Sequence, residues 1–123
     1  NLAGRPLKPG VIALKTMWKK LIDSTERELW RGTVFRFPAK YPYEDIVDYM
    51  IVEDPHSECK LSLMVSTGYK SGIKVLALPK EAKFNNENRS ISRTWIVENW
   101  NKWIYQENKV EDVLWINEYP SNI

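Results

Sequence analysis

Ser92-Arg-Thr-Trp-Ile-Val-Glu-Asn-Trp-Asn-Lys-Trp-Ile-Tyr105 decides how the rest of this chain must be arranged. Ile96, Trp100, Trp103 and Ile104 recur at spacings of four, three and one, the stripe that an amphipathic helix buries on one face. Glu98, Asn99, Asn101 and Lys102 fall on the polar side, and the Ser92 hydroxyl is placed to accept a backbone N–H of the first turn. Each tryptophan can bury about 150–250 Å², more than one short helix can hide by itself. The spacing therefore predicts Trp100 and Trp103 buried against a sheet. Core packing is the reading for all three tryptophans; the alternative is a solvent-facing tryptophan used for recognition, for which Trp95, at the edge of the stripe, is the best placed.

The sheet is written on both sides of that helix. Upstream, Thr33-Val-Phe-Arg-Phe37 alternates as a strand, and a loop runs through Pro38 and Pro42. Ile46 to Glu53 is rich in β-branched and aromatic residues and reads as a second strand, ended by a turn at Pro55-His-Ser57. Leu61, Leu63 and Val65 alternate with polar neighbours as a half-buried strand. Gly68-Tyr-Lys-Ser-Gly72 is a hairpin loop, and Ile73 to Leu78 returns until Pro79 stops it. Lys80 to Arg89 is polar and irregular, with Asn85 to Asn88 as an exposed tip. Downstream of the helix, Val113 to Ile116 reads as a last strand. The expected architecture is α+β: an antiparallel sheet of about five strands with one Trp-rich amphipathic helix packed on one face.

Before Trp30 the signals are weaker. Residues 1–16 hold two prolines, two glycines and no sustained period, so they read as an N-terminal tail or leader, with Met17 as a natural start and residues 17–123 as a single domain. The alternative is a short strand at Val11–Leu14. Asp23-Ser-Thr-Glu26 has the spacing of a capping box and predicts one or two helical turns running to Leu29.

A chain of 123 residues, 43% apolar, suffices for one buried core. No run approaches the roughly 20 apolar residues of a membrane-spanning helix, and no signal-peptide pattern opens the sequence. Cys59 is the single cysteine, which excludes an internal disulfide and a cysteine-built metal site and fits a reducing cytosol.

The net charge of +2 hides a segregated pattern. From Tyr41 to Glu58 there are six acids (Glu44, Asp45, Asp48, Glu53, Asp54 and Glu58) and no lysine or arginine. Residues 1–40 carry nine bases against three acids, and residues 59–93 seven against two. An acidic block thus sits in a basic background, and grouped carboxylates attract a basic surface from a distance.

Catalytic patterns are weak by comparison. Gly68 to Gly72 lacks the upstream glycine and the strand-to-helix setting of a phosphate loop. His56 is the only histidine, in a polar turn, and no serine has a nucleophile-elbow context. A small enzyme would need His56 and nearby carboxylates to converge in a pocket. A nucleic-acid-binding regulator would need the scattered bases to gather on one surface.

The series Leu29-Trp-Arg-Gly32, Phe35-Arg-Phe-Pro38, Tyr41-Pro-Tyr-Glu44, Val47-Asp-Tyr-Met50, Ser66-Thr-Gly-Tyr-Lys-Ser-Gly72, Leu78-Pro-Lys-Glu81 and Asn99-Trp-Asn-Lys-Trp103 resembles a bacterial immunity family, the one numbered forty-five among those of polymorphic-toxin systems. The resemblance runs from about Leu21 to Glu118. It implies an α+β fold, no enzyme activity, no cofactor and a cytoplasmic protein that binds a cognate secreted or contact-delivered toxin. It supplies no binding residues. Those come from the acidic block: Tyr41, Tyr43, Glu44, Asp45, Asp48, Glu53 and Asp54 are expected to cover a basic, nuclease-type surface of a toxin domain, with neither nucleic acid nor a membrane as partner.

Overall fold

The computed structural model describes residues 17–121. The stretch read as a tail, with its alternative strand at Val11–Leu14, lies outside the described residues. Within them the chain forms β1 (Lys19–Lys20), β2 (Glu28–Leu29), β3 (Val34–Pro38), β4 (Ile46–Glu53), β5 (Leu61–Val65), β6 (Lys74–Ala77), β7 (Ile91–Ser92), the helix α1 (Arg93–Asn99) and β8 (Leu114–Ile116). Six strands make one antiparallel sheet in the order β1-β8-β3-β4-β5-β6, while β2 and β7 pair separately. The α+β architecture with its Trp-bearing helix is the one expected. The extra strand is β1, two exposed lysines at a sheet edge that no apolar alternation could announce.

Alternation assigns the two faces. Phe35 pairs across to Tyr49 and Trp115, and Tyr49 to Val65, so these side chains share the face under the helix. Phe37, Val47, Ile51, Leu61 and Leu63 join them there, all buried. Trp100 comes down on this layer and is fully buried, its ring 5.0 Å from Phe37 and 5.9 Å from Phe35, both edge-to-face. Its indole N–H is not orphaned, since Nε1 donates to Asn108 Oδ1 at 2.8 Å.

Two expectations fail. Trp103 is not buried: it is 56% exposed. The helix is capped by Ser92, whose Oγ accepts the Trp95 N–H at 3.2 Å, but after Asn99 it widens into a π-helical turn over Trp100–Ile104. Tyr105 N–H closes that turn on the Trp100 carbonyl at 2.8 Å. In an α-helix each residue advances by about 100°, whereas a wider turn advances less. Trp103 therefore swings away from the sheet, and Ile104 comes back beneath Trp100 as the buried residue. The helix predicted from Asp23 to Leu29 is also absent. Leu21–Asp23 makes a single 3₁₀ turn, the Ser24 hydroxyl takes the Glu26 N–H at 3.0 Å, and the chain then extends so that Glu28 and Leu29 pair with Ser92 and Ile91. A local serine turn competes with the helix, and strand pairing decides the outcome.

Candidate functional site

The acidic block is carried by β4 and the loops at its two ends, so strand alternation decides which carboxylates reach the surface. Val47, Tyr49 and Ile51 face the helix, which puts Asp48 on the opposite face, directly across from Arg36 of β3. There it is fully buried. Its carboxylate accepts from Arg36 Nε at 2.8 Å and Nη2 at 3.0 Å, and from the Tyr119 hydroxyl at 2.6 Å. Ser66 Oγ lies 2.7 Å from that same hydroxyl, and the Trp18 ring stacks 4.1 Å from the Arg36 guanidinium. Burial and then the Asp48 carboxylate push the Tyr119 phenol well above its usual range.

The far end of β4 is neutralised in the same way. Asp54 is buried and paired with Lys74 Nζ at 2.8 Å, and it accepts from the Ser62 hydroxyl and the His56 backbone N–H. Lys74 first, then those two donors, hold its carboxyl below the usual carboxylate range. Glu53 meets Arg89 at 3.2 Å and Arg31 at 3.7 Å. Glu58 accepts the Lys80 backbone N–H at 3.2 Å. His56 is exposed in its turn. Among the described residues no group of three His, Cys, Asp or Glu side chains is placed to hold a metal ion.

The near end is different. The β3–β4 loop carries Tyr41, Tyr43, Glu44 and Asp45 to one tip of the molecule. Tyr41 is 93% exposed, and the Asp45 carboxylate has no hydrogen-bond or ionic partner among the described residues. Tyr43 is half-buried, its hydroxyl accepting from the buried Tyr49 hydroxyl at 3.2 Å. Burial, then that hydrogen bond, raise the Tyr49 phenol. The seven residues read from the sequence thus do not form one patch. Tyr41, Tyr43, Glu44 and Asp45 are brought together, Asp48 lies inside a sheet-face network, and Glu53 and Asp54 sit at the other end of β4.

Sequence reasoning missed the second half of the tip. Tyr69, 72% exposed, extends over the β3–β4 loop and donates its hydroxyl to the Pro42 carbonyl at 2.6 Å. Exposed Ile46 and Ile73 flank the same end of the sheet. Four of the six large exposed hydrophobic side chains among the described residues therefore gather here. The signal available in the sequence was a tyrosine at the apex of a glycine-bounded hairpin. A separate apolar groove of about 450 Å³ opens between β6 and the helix, lined by Leu76, Ala77, Pro79, Glu81, Trp95, Asn99 and Trp103. Trp95 is half-buried and contributes one wall, while Trp103 is the more exposed of the two.

No helix among the described residues is long and apolar enough to cross a membrane. A family model described as Immunity protein 45 matches residues 21–115. No curated protein and no solved structure matches the chain. The family match spans β2 to β7, the Trp100 helix and the β3–β4 tip, and on it the chain belongs to the Immunity protein 45 family.

Proposed function

We propose that the chain binds and neutralises a cognate toxin domain, and that it does so with the tip formed by Tyr41, Tyr43, Glu44 and Asp45. Membership of an immunity family supports toxin binding as the activity. The observation that carries the choice of surface is the gathering of exposed Tyr41 and Ile46 beside the exposed carboxylate of Asp45. Tyrosine supplies rigid contact area with a hydroxyl at its end, and contiguous exposed apolar side chains mark interaction sites. Asp45 suits a basic group on the partner, such as the phosphate-binding lysine or arginine of a nuclease-type toxin. Steering by charge is weaker than the raw block of six acids suggests, because Asp48, Glu53 and Asp54 are matched by Arg36, Arg31, Arg89 and Lys74.

Co-expression tests the proposal. Cells producing the cognate toxin domain should survive with the wild-type chain, and protection should fall for Tyr41→Ala at equal protein level. Survival that is indifferent to the chain's presence would refute it.

A further inference from the structure

We infer that the toxin-facing surface is built from two loops, and that Glu44 is a positioning residue which latches the β5–β6 hairpin loop onto the β3–β4 loop so that Tyr69 meets the partner together with Tyr41. The inference rests on the reading of the tip as the toxin contact.

The latch is visible as a set of mutually dependent contacts. Gly68 adopts φ +73°, and a Cβ there would fall on the Glu44 carboxylate, so the absence of a side chain is what admits Glu44. Once admitted, Glu44 Oε2 accepts the Tyr69 backbone N–H at 3.3 Å. The Tyr69 hydroxyl then closes on the Pro42 carbonyl, tying the hairpin to the loop at a second point. Ser71 fixes the hairpin from within, donating from both Oγ and N to the Gly68 carbonyl at 2.7 and 3.1 Å. Lys70 Nζ lies 5.2 Å from the Tyr69 ring and 5.9 Å from that of Tyr43, bridging the two loops by cation–π contact.

A loop held in its bound shape before encounter avoids the ordering cost that a loose loop meets on binding. The chemistry of the partner follows from what is displayed. Residues 38–46 and 66–73 together carry two bases, Lys40 and Lys70, and two acids, Glu44 and Asp45. The two-loop surface is charge-balanced, with Tyr41, Tyr69, Ile46 and Ile73 projecting from it. It fits a toxin face with apolar recesses for tyrosine rings, not a uniformly basic one.

The test is calorimetric titration of the full chain against an inactivated form of the cognate toxin domain, with amide exchange followed at Tyr69. Tyr69→Ala should weaken binding roughly thirtyfold, the same loss that is expected of Tyr41→Ala. Glu44→Ala should weaken binding and speed exchange of the Tyr69 amide. Glu44→Gln keeps an acceptor for that amide, so it should weaken binding less than Glu44→Ala and leave exchange of the Tyr69 amide slow. Wild-type affinity for Tyr69→Ala beside a weakened Tyr41→Ala would overturn the two-loop surface and leave the proposed function standing. Equal losses for Glu44→Gln and Glu44→Ala, with the Tyr69 amide unchanged, would mean that Glu44 touches the toxin itself and would overturn the latch. A wild-type chain that does not bind overturns the functional reading and this one with it.

Discussion

Asp48 stands opposite Arg36 in the β3–β4 ladder and holds it by two hydrogen bonds, of 2.8 and 3.0 Å, while keeping only 1% of its own side chain exposed. The pair turns the middle of the acidic block from a surface charge into part of the sheet. Arg36 keeps 37% exposure and so recovers some hydration if its partner is lost. Asp48→Ala should therefore cost about 2–3 kcal/mol, less than a fully buried orphaned charge would. Asp45→Ala should stay within about 0.5 kcal/mol of wild type, as surface changes usually do. Urea denaturation of the two variants reads this directly. Equal small losses would show that the Asp48 network is ornamental to stability.

The two tryptophans three residues apart should behave oppositely. Trp100→Ala removes a ring that packs on Phe35 and Phe37 and should cost about 3–5 kcal/mol. Trp103→Ala removes a half-exposed ring and should cost less than about 1 kcal/mol. A Trp103 variant as unstable as the Trp100 variant would contradict the π-helical turn that separates them.

That contrast marks what the sequence could carry. The Ser92 cap, the buried Ile96 and Trp100, and the strands through Phe35, Tyr49 and Leu63 were legible because they depend on local period and cap chemistry. Trp103 was not. Its orientation follows from one widened turn, stabilised downstream where Asn101 Nδ2 donates to the Tyr105 carbonyl at 3.1 Å and Asn108 caps the Trp100 indole. The fate of the acidic block was equally hidden, because Arg36, Lys74 and Arg89 reach it from 12, 20 and 36 residues away. A run of like charges read along the chain says nothing of counter-charges delivered by register. Tyr41 and Asp45 stay exposed because they lie in a loop that no register constrains.

Asp54 gives the fold a pH dependence of known sign. Its carboxyl is held below the unfolded value by Lys74, Ser62 and the His56 N–H. Its stabilising contribution is therefore complete above the unfolded value of about 4 and drains away as pH falls below it. Thermal unfolding between pH 7 and 3 should show a decline in Tm below about pH 4 that is flatter in Asp54→Asn. A variant with the same acid dependence as wild type would place that loss elsewhere.

The most direct measurement is the Kd of the complex with the inactivated toxin domain for two single variants, Tyr41→Ala at the tip and Trp103→Ala in the β6–helix groove. Both side chains are exposed, both are large and aromatic, and neither holds the core together. Truncating the hot spot of an interface costs about 2 kcal/mol or more, roughly thirtyfold in Kd. The tip account predicts that loss for Tyr41→Ala and an unchanged Kd for Trp103→Ala. The reverse pattern, with Trp103→Ala weakened and Tyr41→Ala binding as wild type, would contradict it and move the toxin contact to the groove between Leu76 and Trp95.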